Sequence, residues 1–370
     1  MAADDKLITV AIHTYEKALI LKTMLEREGI EVVIHNVNLI QPVVSSGVRV
    51  RIHEHDLPMA LQIIESTFHA DNDENDVQTE AAKVLIPVDF SDCSLKACAI
   101  GFDFAYRIRG EVVLLYAYLN PAHSSLLPFV VDDISVKGDT SAEYRSIEQN
   151  SLEKMAQFSK RIKEEIENGA YPKIKFTTVV TEGIPETAIL NYSKEIKPRA
   201  IVMGTCGKSK KEVMGNVAAE VLDAGKYPVL TVPENITLSE IDKIRNVVFF
   251  SNLNQQDILS FDSFSRIIGE LPLNVTIIPI EDYKHSGDAD NGVASLIEYC
   301  QKRYKDYMFI GKHIAEKYFA EEFDKFVKDN KIDLILIPNK KKNIFARLFN
   351  PSIAHKMLFY TDTPMFVVPV

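Results

Sequence analysis

A glycine-rich stretch at residues 203–218 carries the residue types best suited to hold an anion. Gly204 and Gly207 lie three positions apart, and glycine lets the main chain turn sharply and bring its N–H groups close to a ligand. Gly215 precedes a helical pattern, and the first N–H groups and the dipole of a helix favour negative charge. Asn216 could cap that helix or donate a hydrogen bond to a phosphate oxygen. The stretch also contains three lysines, Lys208, Lys210 and Lys211. Together these residues predict a phosphate-binding loop.

The tripeptide Gly207-Lys208-Ser209 resembles the end of a Walker A loop. That motif requires another glycine five positions before Gly207, where this chain has Val202. The motif also follows the first strand of its domain, whereas this stretch follows the apolar segment at residues 200–203, which we interpret as the fourth strand. A P-loop nucleotide hydrolase is therefore excluded.

The chain around this stretch alternates continuous apolar segments with helical patterns. In residues 81–236 the apolar segments are Val84–Val88, Val112–Ala117, Ala200–Met203 and Val229–Val232. Strands that are apolar throughout and separated by helices indicate a parallel sheet covered on both faces, and right-handed crossovers make it doubly wound. Ligands bind such sheets beyond the carboxyl ends of the strands. We therefore expect Asp89, which follows the first strand, to lie at the same edge as Gly204.

Residues 237–370 repeat the pattern. Their apolar segments are Val247–Ser251, Val275–Pro279, Leu334–Ile337 and Met365–Pro369. Asn252 stands where the first copy has Asp89, and each copy ends in a strand bounded by two prolines with equal spacing. The sequence thus predicts two tandem doubly wound domains, with strand order 3-2-1-4-5 in each. The two terminal strands are expected to pair and shield each other's edges.

The second copy has lost the features of the phosphate loop. Pro338 replaces the first glycine and has no N–H to donate, and Lys341 replaces the second glycine. Pro351-Ser352 replaces Gly215-Asn216, and proline fits well at the start of a helix. We expect the second copy to keep the fold, to have a structural role and to bind no nucleotide.

A smaller domain is predicted at residues 1–70. The acidic stretch 71–80, DNDENDVQTE, separates it from the first copy as a solvated linker. Its pattern, strand-helix-strand-strand-helix, favours a small ferredoxin-like α+β unit. The segment resembles a prokaryotic signal-transducing domain.

The residues Pro87-Val88-Asp89-Phe90-Ser91, the loop glycines, Gly215-Asn216-Val217-Ala218 and the closing Pro228–Pro233 strand resemble a universal stress protein domain. The whole of 81–370 resembles a tandem universal stress protein, with domains at 81–236 and 237–370. ATP-binding members carry G-x2-G-x9-G-[S/T] after the fourth strand. This chain departs from that motif, because its second spacer has seven residues and Asn216 occupies the Ser/Thr position.

The resemblance implies an adenine nucleotide, ATP or AMP, as ligand of the first domain, with Mg²⁺ as a candidate companion ion. Asp89 would hold polar groups near the base, above Pro87 and Val88, and Ala117 would line the base or ribose pocket. The loop and helix residues would contact ribose and phosphates: Met203, Gly204, Gly207, Lys208, Gly215, Asn216 and Val217. Residues 118–145 form a long connection that could cover the ligand.

The net charge and the cysteines indicate which other partners are unfavourable and which cellular compartment to expect. The formal charge of −10 disfavours nucleic acid and anionic membranes as partners. The four cysteines lack zinc or CxxC spacing and are expected to be reduced thiols in a cytoplasmic protein. Cys206, inside the loop, is either a redox-sensing thiol or an inert small residue, and the inert interpretation is favoured.

Two hypotheses for function remain. The first is a stress-response or signalling protein that binds an adenine nucleotide in its first α/β domain. The second is a nucleotide-free scaffold for another protein, which the shortened loop favours. No nucleophile with a histidine and carboxylate partner is recognisable, so the chain is not expected to be an enzyme, although slow ATP hydrolysis stays open. A homodimer also stays open.

Overall fold

The computed structural model describes most of the two α/β copies and much of the N-terminal region. The described residues are 7–13, 15–35, 48–68, 81–119, 140–205, 216–236, 238, 240–251, 255–269, 271–279, 288–314, 319–339 and 362–369. The chain divides into two compact units. The first comprises residues 1–79, 244–339 and 370, and the second comprises residues 80–243 and 340–369. The domain boundaries predicted from the sequence group the chain differently and stay a prediction.

The N-terminal part of the first unit is a small antiparallel sheet with helices. Its elements are β1 (Leu7–His13), α1 (Tyr15–Arg27), β2 (Val32–His35), β3 (Val48–His53) and α2 (Leu57–Phe68), with strand order β1-β3-β2. Gly29 follows α1 with a φ of 86°, a conformation that glycine adopts without strain. On β3, Val48, Val50 and Ile52 are buried and alternate with more exposed residues. The element order is the predicted one, and the ferredoxin-like assignment stays a prediction.

The second unit contains the first α/β copy. Its elements are β4 (Lys83–Pro87), α3 (Asp92–Arg107), β5 (Glu111–Tyr118), α4 (Thr140–Glu167), β6 (Phe176–Glu182), α5 (Pro185–Ile196), β7 (Ala200–Gly204), α6 (Asn216–Ala224) and β8 (Val229–Val232). The strand order is β6-β5-β4-β7-β8, and these neighbours are all parallel. The predicted order 3-2-1-4-5 is therefore confirmed for this copy.

Helix α3 packs closely on the middle of this sheet. Ser91 caps its N-terminus, where the side chain accepts a hydrogen bond from the N–H of Ser94. At Gly101 an added Cβ would lie 2.4 Å from Cδ1 of Ile86 and 3.5 Å from Cβ of Val202. Glycine at this position therefore allows α3 to approach β4 and β7. The long helix α4 begins at Thr140, so the connection predicted at 118–145 is too long at its C-terminal end.

The remaining part of the first unit contains most of the second α/β copy. Its elements are β9 (Asn246–Ser251), α7 (Gln255–Ile268), β10 (Asn274–Pro279), α8 (Asp288–Arg303), β11 (Met308–Gly311), α9 (Phe319–Asp329) and β12 (Leu334–Asn339). The strands follow the order β11-β10-β9-β12 with parallel pairing, the 3-2-1-4 part of the predicted order. Helix α2 packs against α8 within this unit.

The last strand, β13 (Met365–Pro369), lies in the second unit and pairs with β8. Met365 lies opposite Thr231 and Val367 opposite Val229, so the predicted pairing of the two terminal strands is confirmed. The pairing is antiparallel, so the expectation of a purely parallel sheet is wrong for this strand. The side chain of Thr231 also bonds the main chain of Met365. Within the described ranges, no helix combines the length and apolar character needed to cross a bilayer.

Candidate functional site

The residues predicted to bind a ligand leave three neighbouring strands at one edge of the β4–β8 sheet. Pro87 is the last residue of β4 and lies opposite Leu115 of β5. The N–H of Val88 continues this ladder and donates to the carbonyl oxygen of Leu115 over 2.9 Å. On the other side β7 runs parallel to β4 and ends at Gly204. The carboxyl ends of β4 and β7 therefore meet, as expected from the sequence.

Asp89 is the centre of a hydrogen-bond network that starts α3. Its Oδ1 accepts hydrogen bonds from the N–H of Ser91 over 3.0 Å, from the hydroxyl of Ser94 over 2.7 Å and from the hydroxyl of Ser91. The N–H of Asp89 in turn donates to Oγ of Ser94 over 2.9 Å. A carboxylate that accepts from several donors is held in place strongly. One oxygen of Asp89 thus has a structural role at the helix N-terminus.

Phe90 forms an aromatic wall beside this network. Its φ of 65° is in the left-handed region, which side chains larger than asparagine rarely adopt. The ring lies 4.4 Å from the ring of Tyr116 on β5 and 5.5 Å from that of Phe158 on α4, measured between centroids. These contacts fix the turn between β4 and α3. They also place aromatic surface next to the end of β5, where Ala117 is half-buried.

The main chain of Gly204 lies directly against the first turn of α3. A Cβ added at Gly204 would be 3.0 Å from Cβ of Cys93 and 3.3 Å from its carbonyl carbon and oxygen. Glycine here therefore permits a close approach of strand and helix, whatever ligand the edge holds. Met203, just before it, is buried in the sheet.

The described residues resume at the helix that follows the loop. Helix α6 begins at Asn216, and Val217 in its first turn is half-buried. The first N–H groups of a helix have no partner within it and favour an anion. Gly207, Lys208 and Gly215 lie outside the described residues, as does the side chain of Asn216.

The cysteines differ from the sequence-based expectation. Cys93 is disulfide-bonded, so the prediction of four reduced thiols is wrong for this residue. Cys98 and Cys300 are free and buried. Burial raises the pKa of the Cys98 thiol far above its ordinary value.

The matching edge of the second copy is lined by buried polar side chains. Ser251, the last residue of β9, donates a hydrogen bond from its hydroxyl to Oδ2 of Asp257 over 3.1 Å, and both residues are fully buried. Asn339, the last residue of β12, is also buried, and the preceding Pro338 occupies the position that matches Gly204. This edge has polar groups but not the glycine geometry of the first copy.

Sequence reasoning assigned no role at the site to three residues of the first edge. Ser94 was detectable, because serines three residues apart at a helix start are typical of a capped N-terminus. Phe90 was not, since nothing in the residue type predicts its left-handed main chain. Cys93 was not either, because its place in the sequence does not show that it is disulfide-bonded.

Comparison with known proteins agrees with this geometry. Residues 81–233 match the model of the universal stress protein family. A universal stress protein of Methanocaldococcus jannaschii is 29% identical over 152 residues, which are 40% of this chain and 81% of that protein. One from Mycobacterium tuberculosis is 29% identical over 161 residues, 43% of this chain, and this chain spans only 47% of that protein.

Among solved structures, a universal stress protein from Archaeoglobus fulgidus superposes with a TM-score of 0.55 at 16% identity. The superposition covers 78% of this chain and 98% of that one, and at such identity it shows the fold alone. The family match and the strand order agree on the same segment. Residues 81–233 of this chain are thus similar to a universal stress protein domain in sequence and in fold.

Proposed function

We propose that the domain at residues 81–233 binds an adenine nucleotide, ATP or AMP, and that the chain acts in a stress response or in signalling. The observation that carries the proposal is the position of Gly204. Gly204 ends β7, which lies beside β4. Because β4 lies between β5 and β7, the connections that leave β4 and β7 run to opposite sides of the sheet. Ligands of open α/β sheets bind in the crevice at such a switch point.

The residues at this crevice suit the parts of a nucleotide. The half-buried Ala117 at the end of β5 offers apolar surface for a base, and the buried Val88 would lie beneath it. The main-chain N–H groups at the start of α6 would hold phosphate oxygens through the helix dipole. Lys208 in the loop would add positive charge, and Mg²⁺ would accompany a triphosphate. Asp89 holds one of its oxygens in the α3 network, at the edge where the base would lie.

Residues 237–370 are proposed as a second universal stress protein domain that binds no nucleotide. Pro338 cannot donate a main-chain hydrogen bond at the position that matches Gly204. Buried Asp257 and Asn339 take up space at the edge of this copy. A phosphate placed beside the Asp257 carboxylate would be repelled.

The chain is proposed to bind its nucleotide rather than to catalyse a reaction of it. Within the described part of the edge, Asp89, Ser91 and Ser94 are tied together at the start of α3. Their geometry therefore serves the helix rather than an attack on a bound group. Slow hydrolysis of bound ATP by water stays compatible with this proposal.

A nucleotide-free scaffold is the second candidate function. It is supported by the same Asp89 network, because the carboxylate is used to hold Ser91 and Ser94 at the start of α3. It is also supported by the seven-residue spacer between Gly207 and Gly215.

Calorimetric titration of the full chain with Mg-ATP and with AMP tests the proposal. We expect one site per chain. The variant Asn216→Asp keeps a good helix-capping residue but places a negative charge where phosphates would bind, so affinity should fall by at least about tenfold. The control Asn191→Asp makes the same change on the exposed face of α5, where Asn191 contacts Lys194, and should leave affinity unchanged.

Three results would count against parts of the proposal. No heat and no thermal shift with either nucleotide would favour the scaffold function. Two sites per chain would contradict a non-binding second domain. Equal affinity of Asn216→Asp and the native chain would move the phosphates away from α6. Gly204 variants are unsuitable for this test, because any Cβ there crowds Cys93 without a ligand.

A further inference from the structure

The outer edge strands of the two copies differ in character. Strand β6 is the edge strand of the first copy, and β11 is that of the second. The register of the neighbouring strands makes Met308 of β11 correspond to Lys175, and it likewise makes the next outward residue, Ile310, correspond to Thr177. Lys175 is exposed and pairs with Glu111, and a charged side chain of this kind discourages strand addition at an edge. Met308 and Ile310 are instead apolar, 65% and 57% exposed, and lie on one face of β11.

The main chain of β11 is paired on one side by β10, its one neighbour among the described strands. The N–H groups of Met308 and Lys312 donate to carbonyl oxygens on that side, over 2.8 and 3.0 Å. Successive residues of a strand direct their N–H and C=O groups to opposite sides, so those of Phe309 and Gly311 point away from β10. The edge of β11 therefore offers main-chain donors and acceptors to a further strand.

A side chain of α8 occupies part of this edge. Nε2 of Gln301 donates to the carbonyl oxygen of Tyr307 over 2.8 Å, and Oε1 of Gln301 accepts from the N–H of Phe309 over 3.3 Å. Gln301 is exposed, and its amide makes the donor and acceptor contacts that a peptide group of an added strand would make. The edge thus holds a peptide-like group in the place where an added strand would lie.

We propose that the edge of β11 binds a second molecule of this chain, whose own β11 adds to it in the antiparallel direction and displaces Gln301. With Phe309 on the two-fold axis, its N–H and C=O groups bond those of Phe309 of the partner subunit. The N–H of Gly311 then donates to the carbonyl oxygen of Tyr307 of the partner subunit, in place of the Gln301 amide. A two-fold interface of this kind uses the same surface on both molecules.

The side chains along β11 suit this register. Met308 faces Ile310 of the partner subunit, so the exposed apolar side chains of both molecules are covered. Asp306, in the turn before β11, comes level with Lys312 of the partner subunit, and both residues are exposed. Opposite charges at the two ends of β11 favour the antiparallel direction. A shift of the register by two residues would place Lys312 opposite Met308 and would lose both kinds of pair.

Sedimentation velocity of the full chain over a wide range of concentrations tests the proposal. Ile310→Lys should weaken self-association at least about tenfold, because it places a charge against Met308. Gln301→Ala should strengthen it several-fold, because it removes the side chain that competes for the edge. Thr177→Lys makes the same charge change at the corresponding position of β6 and should leave self-association unchanged.

Hydrogen exchange reports the register of the added strand. The N–H group of Gly311 should exchange more slowly as the concentration rises in the native chain and in Gln301→Ala, but not in Ile310→Lys. Neither readout involves a nucleotide, so the outcome is independent of the function proposed for the first copy.

Three results would overturn the proposal. Absence of self-association in both the native chain and Gln301→Ala would leave the edge to a different protein. A dimer that Ile310→Lys does not weaken, or one without protection at Gly311, would be held together by another surface. Unchanged self-association in Gln301→Ala would show that Gln301 does not compete with an added strand.

Discussion

The edge at β4 and β7 and the edge at β9 and β12 share a strand order but differ in the residues that come after the strands. In the first copy, Asp89 and two serines start the helix, and a glycine ends β7. In the second copy, the position of Ser94 is taken by Asp257, which bonds Ser251. A carboxylate and a hydroxyl thus form a hydrogen bond at both edges. In the first copy the carboxylate follows the strand and the hydroxyl lies on the helix, whereas in the second copy the hydroxyl ends the strand and the carboxylate lies on the helix.

The difference shows which parts of the fold tolerate change. The first strands of both copies, β4 and β9, are mostly apolar because helices cover both faces of a parallel sheet, and their apolar residues are nearly interchangeable. The residues after the strands have diverged in size, charge and main-chain freedom. Function, where it exists, is therefore to be sought in these residues and not in the shared sheet.

The helix after the first strand differs in the same way. Matching β4 with β9 places Gly101 of α3 opposite Phe264 of α7. Gly101 leaves no room for a side chain, whereas Phe264 is fully buried and packs on Phe261. Each helix is thus set on its sheet by a residue that the other copy does not have.

The largest expected effect concerns a carboxylate that only the second copy has. Asp262 of α7 accepts hydrogen bonds from Arg303 over 3.2 Å and from the hydroxyl of Tyr304, and the matching residue of the first copy is Ala99. Burial, with a further contribution from Asp262, raises the pKa of Tyr304 above its ordinary range. Asp262→Ala leaves a half-buried guanidinium and a buried hydroxyl without this partner. We expect a loss of about 3–5 kcal/mol in the free energy of unfolding by urea.

The control for this variant is Asp324→Ala. Asp324 on the exposed face of α9 pairs with Lys328, and truncating it should cost under about 1 kcal/mol. Equal stability of the two variants would contradict this prediction. The contacts of Asp262 with Arg303 and Tyr304 would then contribute no more than an exposed ion pair.

The next effect concerns the close packing of α3. Gly101→Phe gives the first copy the residue of the second, but the new ring would overlap Cδ1 of Ile86. We expect destabilisation of at least about 3 kcal/mol by urea unfolding, because the sheet lies where the ring would go. Gly101→Ala is the graded control. Its single Cβ would lie 2.4 Å from Cδ1 and 3.1 Å from Cγ1 of the buried Ile86, so the side chain of Ile86 must shift, and the net cost should be about 1–2 kcal/mol because alanine also favours helix. A folded and stable Gly101→Phe would show that the two helices are not set by these residues.

The strand order of the first copy was predictable because buried parallel strands leave an unmistakable apolar pattern. The segment Val84–Val88 has no polar residue, and the structure buries most of it. The meeting of Asp89 and Gly204 at one edge could be expected from topology alone. The antiparallel direction of β13 could not, because an apolar strand carries no sign of the direction of its neighbour.

The details of the site were less predictable than its place. The network of Asp89 with Ser91 and Ser94 depends on the left-handed turn at Phe90, and a phenylalanine gives no sequence signal for that turn. The close approach of Cys93 on α3 to Gly204 at the end of β7 is a tertiary contact between residues far apart in the chain. Such contacts are set by packing, which local sequence patterns do not record.

The smallest expected effect concerns Asp103 of α3, whose matching residue in the second copy is the exposed Arg266. Oδ2 of Asp103 accepts a hydrogen bond from the N–H of Ile241 over 2.6 Å, and burial raises the pKa of the carboxyl above its ordinary value. The folded chain therefore holds this proton to higher pH than the unfolded chain, so stability falls as the pH rises from about 3.8 through the raised pKa.

Asp103→Asn keeps an oxygen for the N–H of Ile241 and removes the titration. We expect the variant to equal or slightly exceed the native chain in stability at pH 7, by less than about 1 kcal/mol because the group is only half-buried. The difference should shrink as the pH falls towards 3.8, where both states of the native chain gain the proton. Urea unfolding between pH 4 and 7 measures this difference in stability. Asp324→Asn is the control, because it makes the same change of charge on the surface. A variant that loses stability at pH 7 while matching the native chain at pH 4 would mean that the charge of Asp103 stabilises α3, and that its position is kept for an ion pair with Arg107 or Lys243.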